Sequence, residues 1–545
     1  MSIGCQNEKN HELLLSVGAA DVDGNPYFRE SSKVRFSVEG LEEMIAVDNG
    51  NLMGNAGALR YVHMRKECVM GNCYLCRMIW EDSRKGKIMK PDKYEIDMCN
   101  GPLAGKMLMF SIPLMFSGIL QLLFNTADII VVGRVAGTQA LAAVGSTSTL
   151  IFLLTSFSMG MSVGISILIG RYYGAGREDK ITAVVHTASA LGLLFGCLMA
   201  VLGIFCARQL LVLMGTPEDI LEMAVLYMRI YFAGMPAGLF YNFGASILRA
   251  VGDTKRPLYF LSLAGSMNVA LNVIFTVGMR WEIAGVALAT VFSQAISAAL
   301  VFSVLYRRQD SLRLYPGKIK LHKEQVKNIM RIGCPASLQS ILFSFSNVLI
   351  QSSINSFGSS AMAGSAAAAN IEGFVTTSMN AFHQTAMNFT SQNFGAGKYQ
   401  RIRKVLGLAL VFDAVIGIVL GNMAFCFGEQ LLGIYTEEGQ AVSYGMIRLV
   451  YTCVPYFLLG TTDIFVGCMR GLGRVALPMI VSLAGVCGLR VLWIYTIFRY
   501  NRTLDVLYMS YPATWAITAL MQMLCTIYVM SRMKRDKNVT GNIQK

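Results

Sequence analysis

The chain has 545 residues, of which 54% are hydrophobic and 15% charged, and its formal net charge is +14. This balance excludes an ordinary soluble domain, which is less apolar and carries far more charge. The charge is uneven: 13 Lys and Arg stand against 15 Asp and Glu up to Asp97, which leaves 34 against 18 for the remainder. Because the basic excess lies in the apolar part, without a nucleic-acid-binding motif, we interpret it as a topology signal and predict no nucleic-acid partner.

Residues 1–97 form a polar extension ahead of the first apolar stretch. They contain no basic region followed by an apolar run, so we identify no secretory signal peptide. Two interpretations stay open: a poorly ordered cytoplasmic extension, or an upstream stretch that a misplaced start codon has added before Met98. We favour the second. Three cysteines, at 68, 73 and 76, have the spacing of an iron–sulfur loop, but a fourth is missing unless Cys99 serves. We predict no metal and no cofactor.

Twelve apolar stretches follow, each long enough to cross the hydrocarbon layer as a helix. The sequence therefore predicts an all-α polytopic membrane protein with twelve transmembrane helices. The predicted helices 1 to 6 are 107–132, 139–169, 183–207, 222–248, 257–278 and 283–306. The predicted helices 7 to 12 are 328–355, 361–392, 404–427, 441–468, 476–498 and 513–531.

Basic residues concentrate in alternate loops of this map. Basic loops lie at 171–180, 255–256, 307–331, 398–404 and 470–474, and the tail after 531 is basic as well. Positively charged loops stay on the cytoplasmic side, so the pattern places both termini in the cytoplasm. We therefore predict a multi-pass protein of the cell (inner, cytoplasmic) membrane, in contact with the lipid bilayer.

An internal repeat divides the helices into two sets of six. GRYYGAGREDK at 170–180 matches SQNFGAGKYQR at 391–401, with an offset of 221 residues. ILRAVGDTKRP at 247–257 matches GCMRGLGRVALP at 467–478, and FSIP at 110–113 matches IGCP at 332–335, at nearly the same offset. Because six is even, the repeats have the same orientation and are related by a pseudo-two-fold axis along the membrane normal.

The repeat defines the predicted domain organisation. After the extension at 1–97 come an N-lobe at 98–306, with helices 1 to 6, and a basic cytoplasmic linker at 307–327. A C-lobe at 328–532 holds helices 7 to 12, and a basic cytoplasmic tail follows at 533–545.

The run GPLAGKMLMFSIPLMFSGILQLLFNTADIIVVGRVAGTQALAAVG at 101–145 resembles the opening of multidrug and toxic compound extrusion (MATE) transporters. The paired GAG(R/K) loops and the paired LRAVGD and MRGLGR helix ends are similar to theirs too. The resemblance covers most of the chain after Cys99. It implies a secondary antiporter that exports organic, often cationic, compounds by alternating access in exchange for protons or sodium ions.

Polar residues on helix 1 are the first candidates for ion coupling. Gln121, Asn125 and Asp128 are spaced by four and three, which returns them to one helix face. An ionised carboxylate at bilayer depth is costly and needs a reason. Asp128 with neutral oxygens suits a hard cation, or it carries a proton. The alternative is a hydrogen-bond cluster that only joins helices.

Helix 5 adds a second polar stripe, Asn268 and Asn272, four residues apart. The resemblance implies that Asp128 occupies the position of the family's ion-responsive acid, that Asn268 matches a family asparagine, and that Thr290 completes the site. Asn272 departs from the family, since many members have aspartate there. With a single acid, coupling to one proton is favoured over a multi-ion or sodium-selective site.

Two further residues have open roles. Pro113 either bends helix 1, as the resemblance implies, or lies harmlessly near the start of the helix. Glu372 lies near mid-depth of predicted helix 8 and is a possible second acid, with a hydrogen-bonded helix pair as the alternative. Helix 7 carries no acid after its proline, so we expect no ion site of the kind that some relatives place there.

The alternative function is the flipping of lipid-linked saccharides or cell-wall precursors across the membrane. Relatives in the same superfamily perform this function. Such flippases usually hold pyrophosphate with basic residues inside the lobes, whereas here we expect the arginines at helix ends. The helices contain no clustered catalytic motif and no Walker sequence, so we predict that the protein is not an enzyme. The expected partners are small organic substrates, and we expect a monomer.

Overall fold

The computed structural model describes residues 92–543 and, upstream of them, four short strands. These are β1 (Ser2–Asn7), β2 (Leu13–Gly18), β3 (Ala46–Val47) and β4 (Tyr61–Val62), and they pair antiparallel as β1 with β2 and β3 with β4. The chain divides into one unit at Met1–Met89 and a second at Lys90–Lys545. The three cysteines with iron–sulfur-like spacing lie outside the described residues.

Twelve long helical stretches form the described part of the second unit. The first six are α1 (Leu103–Val131), α2 (Gly137–Gly174), α3 (Glu178–Leu213), α4 (Glu218–Ala233 and Met235–Ala250), α5 (Lys255–Val273) and α6 (Glu282–Arg307). The second six are α7 (Lys323–Asn355), α8 (Ser359–Gly395), α9 (Tyr399–Cys426), α10 (Gly439–Thr452 and Tyr456–Gly471), α11 (Ala476–Ser482 and Leu489–Tyr495) and α12 (Leu504–Ile543). Short helical segments at Pro316–Lys318, Gly428–Gly433 and Ile497–Tyr500 lie between or after them.

The predicted all-α polytopic membrane fold is confirmed. Within the described residues, nine helices are long and apolar enough to cross a membrane, and α4 and α10 bring the number to eleven if each bent pair is one span. The twelfth, α8, is richer in small and polar residues. Helix 12 begins nine residues earlier than the sequence suggests, because Pro512 lies inside the helix rather than at its start.

Several helices are bent or interrupted, and the bends in α4 and α10 lie at corresponding places of the repeat. The two parts of α4 meet at 47° and the two parts of α10 at 46°, next to Pro236 and Pro455, which cannot donate a backbone hydrogen bond. Short π-helical segments lie at Ile274–Gly278, directly after α5, and at Leu483–Gly488, within α11. Such segments shift the register of a helix face and often occur near functional sites.

The two halves meet symmetrically where α2 crosses α8. A Cβ added at Gly174 would lie 2.0 Å from the carbonyl oxygen of Gln392, and a Cβ added at Gly395 would lie 2.0 Å from that of Arg171. Both pairs of counterparts, 171 with 392 and 174 with 395, are 221 residues apart. The same glycine contact therefore occurs twice about the predicted axis, and a side chain at either glycine would separate the backbones.

Residues 92–97, which the sequence assigns to the extension, pack with the helical bundle instead. Glu95 forms an ion pair with Arg308, in the linker between the halves, and Asp92 accepts a hydrogen bond from Arg256 at 2.7 Å. Burial raises the pKa of Asp92, but the Arg256 guanidinium outweighs it and holds that pKa below its ordinary value. The structural boundary thus falls at 89/90, eight residues before the predicted one. The start-codon hypothesis stays a prediction.

The same segment also contacts the second half of the bundle. Arg401 donates to the carbonyl oxygens of Met98 and Asn100, at 3.2 and 3.0 Å, and Asn393 donates to that of Met98 at 3.1 Å. Residues 92–100 therefore bridge both halves at the end of the bundle that carries the basic loops.

Candidate functional site

The N-lobe site is built around Asp128, in the last turn of α1. Asn272, fully buried on α5, donates its Nδ2 to Oδ1 of Asp128 at 2.5 Å. Asn268 lies one turn earlier on α5 and is also buried. The helical spacing of the two asparagines brings both amides to the face of α5 that meets α1.

Asn268 links Asp128 to α6. In one orientation of its amide, Nδ2 of Asn268 reaches Oγ1 of Thr290 at 3.5 Å. With the amide rotated by 180°, Nδ2 donates to both carboxylate oxygens of Asp128, at 2.7 and 3.2 Å, and the amide oxygen accepts from the Thr290 backbone at 3.3 Å. The rotated orientation satisfies donors and acceptors better, so we assign it. The structure thus brings together Asp128, Asn268, Asn272 and Thr290.

Free acceptors remain in this cluster. The amide oxygen of Asn272 is buried and has no hydrogen-bond partner among the described residues, and neither has the hydroxyl of Thr276, one turn further along. No basic side chain of the described part forms a salt bridge with Asp128. A carboxylate held by neutral amides, beside an unpaired oxygen, has the chemistry to accept a proton or a small hard cation.

Two predicted residues lie apart from the cluster. Gln121 and Asn125 are exposed and make no hydrogen bond to a described residue, although they share a helix face with Asp128. Tyr227, which the sequence analysis does not single out, lies on α4 close enough to interact electrostatically with Asp128. Only its place in the fold identifies it, because a tyrosine in an apolar helix carries no signal of its own.

Pro113 lies in the interior of α1, ten residues after the helix begins at Leu103. The alternative that it sits harmlessly near the helix start therefore does not describe this structure. Its counterpart Pro335 lies inside α7 in the same way. α1 continues through Pro113 without a break, so the bending role stays a prediction.

Glu372 forms a buried ion pair with Arg448 in the second half. Its two carboxylate oxygens accept from Nε and Nη2 of Arg448 at 2.8 and 2.9 Å, and Thr452 donates to one of them at 2.6 Å. Nη1 of Arg448 donates to the hydroxyl of Ser365 at 2.6 Å. This arrangement favours the alternative of a hydrogen-bonded helix pair over a second ion-coupling acid, and the coupling role stays a prediction.

Other buried polar groups of the second half do not form a metal site. Both carboxylate oxygens of Asp413 are buried without a hydrogen-bond partner in the described chain, and Asp463 lies nearby on α10. His383 pairs its Nδ1 with the Asp463 carbonyl oxygen at 2.6 Å. Within the part of the chain that the structure describes, no three His, Cys, Asp or Glu side chains are grouped to hold a metal ion.

Comparisons with known proteins agree with this architecture. A sequence model of the family described as MatE matches the chain twice, at 113–274 and 335–496, which reproduces the internal repeat. The chain is 32% identical to the "Probable multidrug resistance protein YoeA" of Bacillus subtilis, over 76% of this chain and 91% of that protein. It is 26% identical to the "FAD transporter" of Shewanella oneidensis, over 71% and 86% of the two chains.

Solved structures share the fold. The outward-facing conformation of a multidrug resistance MATE family transporter superposes with a TM-score of 0.77, at 22% identity, over 82% of this chain and all of that one. The fold and the family match define a multi-pass membrane transporter. The chain belongs to the MatE family, the multidrug and toxic compound extrusion transporters.

Proposed function

We propose that this transporter is a secondary antiporter, which exports organic, often cationic, compounds in exchange for protons or sodium ions. The observation that supports it most is the Asp128 cluster between α1, α5 and α6, in which no basic side chain of the described residues pairs with the carboxylate. A group whose charge changes on ion binding can bias two arrangements of the surrounding helices, and alternating access needs such a bias.

A proton is the better candidate for the coupling ion. Asp128 is the one acid of its cluster, and two of its neighbours are amides that donate to it. Sodium would need several oxygen ligands in place of those donors. Protonation needs no further ligands. It removes one negative charge from a site at bilayer depth, where an ionised carboxylate is costly.

The basic loops suggest how the protein lies in the membrane. They share one end of the bundle with residues 92–100, and positive residues mark the cytoplasmic side. In this proposal both termini of the chain lie on the cytoplasmic side of the cell membrane. The transporter takes up substrate for export from that side.

The test is export of rhodamine 6G from cells that carry the protein, with the proton and sodium gradients collapsed separately. Asp128→Asn keeps the size of the side chain but removes the titration, so export is expected to fall at least about tenfold. Collapse of the coupling gradient should abolish export in the wild type. Thr126→Ala, on the same helix and exposed but outside the candidate residues, is the matched control and should export normally.

Export that survives in Asp128→Asn would remove the central residue of the proposal. A complete lack of wild-type export would favour the flippase alternative. One structural observation supports that alternative: Arg448 and Arg490 are buried inside the second half, whereas the sequence analysis expects arginines only at helix ends.

A further inference from the structure

Arg490 is a buried cation in the interior of the second half. It follows the π-helical segment of α11, and only 3% of the residue is exposed. Its guanidinium carbon lies 4.2 Å from the centre of the Tyr511 ring, which α12 supplies. The ring offers a favourable electrostatic surface but no negative charge.

The Arg490 side chain has neither a hydrogen-bond partner nor a counter-ion within the described chain. Its Nε is buried without a partner, and no described side chain forms a salt bridge with it. Glu372 pairs with Arg448 through both of its oxygens, and among the described residues no salt bridge joins it to Arg490. Arg448 itself is a like-charged neighbour of Arg490. Glu372 and the guanidinium groups of Arg448 and Arg490 thus lie close together, and none of the described carboxylates forms a salt bridge with Arg490.

An uncompensated arginine in this position is energetically unusual. Arginine does not lose its proton in proteins, so it cannot escape the cost of burial by becoming neutral. A buried charge without a partner is strongly unfavourable in a protein interior. An anion that enters the site would gain the interaction that the protein itself does not supply.

The surroundings of Arg490 add a preference for aromatic compounds. Tyr511 packs edge-on against Trp515, with ring centres 5.5 Å apart, and Trp515 also contacts Tyr456 at 5.4 Å. Planar guanidinium groups bind carboxylate and phosphate through paired hydrogen bonds, and aromatic walls favour flat ring systems.

We propose that Arg490 and Tyr511 form a substrate subsite that binds the carboxylate or phosphate group of an aromatic organic anion. The subsite rests on the proposed function, since it names a class of substrate for the same transporter. It has the opposite charge to the Asp128 cluster of the first half, to which we assign ion coupling, so this subsite selects anionic substrates.

Two dyes with one ring system test the subsite. Fluorescein is an aromatic anion with a free carboxylate, and rhodamine 6G is a cation in which that carboxylate is an ester. Binding of each to the purified full-length protein is measured by fluorescence anisotropy in neutral detergent. Arg490→Gln is expected to weaken fluorescein binding about tenfold or more and to change rhodamine 6G binding less than about twofold.

Three further variants keep the result interpretable. Arg490→Lys retains the charge but loses the planar fork, so its fluorescein affinity should lie between those of wild type and Arg490→Gln. Tyr511→Leu removes the ring beneath the guanidinium and should also weaken fluorescein binding. Arg229→Gln removes an exposed arginine of the first half and should leave both dyes unaffected. Size-exclusion profiles confirm that each variant is folded.

The subsite is wrong if wild type does not bind fluorescein, or if folded Arg490→Gln and Tyr511→Leu both bind it as wild type does. Binding in detergent needs no ion gradient, so this result is separate from the antiport experiment. Loss of fluorescein binding in Arg490→Gln without gradient-driven export would support the subsite and contradict antiport. Antiport with fluorescein binding independent of Arg490 would contradict the subsite alone.

Discussion

The two halves repeat one backbone plan, yet their polar interiors have opposite character. In the first half, Asp128 is held by neutral amides and has no salt-bridge partner among the described residues. In the second half, Glu372 is neutralised by Arg448, and no carboxylate in the described part of the chain pairs with Arg490. The two halves therefore share their helix packing but not their buried charges. A bound molecule would meet different chemistry in each half.

The largest expected effect comes from removing the Glu372 charge. Glu372→Gln leaves Arg448 buried without a carboxylate, which should cost about 3–5 kcal/mol of stability. Asp128→Asn removes a charge that no cation balances, so the first half should lose little or gain. Melting temperatures in detergent measure both changes, and the double variant Glu372→Gln/Arg448→Met should recover most of the loss.

Equal losses of melting temperature in Glu372→Gln and Asp128→Asn would contradict this difference between the halves, because both carboxylates would then stabilise the fold. A stable Glu372→Gln variant with lost export would instead return Glu372 to the ion-coupling residues.

A smaller difference is expected between the repeat-related glycines of the loops after α4 and α10. Gly252 has φ +103°, and a Cβ there would lie 2.6 Å from the backbone of Ile96. Gly473 has φ +71°, and the nearest atom to its Cβ would be the end of the Arg171 side chain, which can move. Gly252→Ala should cost about 3 kcal/mol and Gly473→Ala about 1 kcal/mol, again read as melting temperatures.

A larger loss in Gly473→Ala would show that Arg171 is held more firmly than residues 92–98. Equal losses would show that backbone strain, rather than contact with Ile96, decides the cost.

The smallest expected effect concerns the pH dependence of stability. It compares Asp253 with Arg474, the residue at the corresponding position of the second half. Burial raises the pKa of Asp253 to about 6, although the Arg256 backbone and guanidinium partly offset it. Because this pKa lies above the ordinary value, the folded state favours the protonated acid. That stability is present at acidic pH and is lost as the pH rises through about 6. Asp253→Asn should therefore raise the melting temperature relative to wild type at pH 7.5 and not at pH 4.

Arg474→Gln is the control for this profile and should shift the melting temperature by a similar amount at both pH values. A pH profile of Asp253→Asn parallel to that of wild type would show that Asp253 does not cause the pH dependence.

The sequence predicts most of the fold because the bilayer simplifies the problem. Long apolar stretches must become helices in a solvent that cannot satisfy backbone polar groups, so twelve helices and their repeat are visible without coordinates. The predicted boundary at 97/98 differs from the division between the compact units at 89/90, because residues 92–97 are polar in composition. Their place in the bundle depends on Arg256 and Arg308, which are distant in the chain.

The candidate site is predicted in part. Helical spacing groups Asn268 with Asn272, the cost of an acid at bilayer depth singles out Asp128, and the resemblance adds Thr290. The structure brings these four residues together. The same spacing also groups Gln121 and Asn125 with Asp128, but they remain exposed. Spacing shows which residues share a helix face, whereas the packing of α5 and α6 decides how much of that face is covered.

The sequence by itself determined that this chain crosses the membrane as two repeated sets of six helices, because periodicity and apolar length are local properties. Only the tertiary structure decided which charges are balanced. Glu372 and Arg448 are 76 residues apart and pair on neighbouring helices, while Arg490 contacts Tyr511 and pairs with no carboxylate that the structure describes. Charge compensation depends on a few ångströms between distant residues, and that distance is set by packing rather than by sequence order.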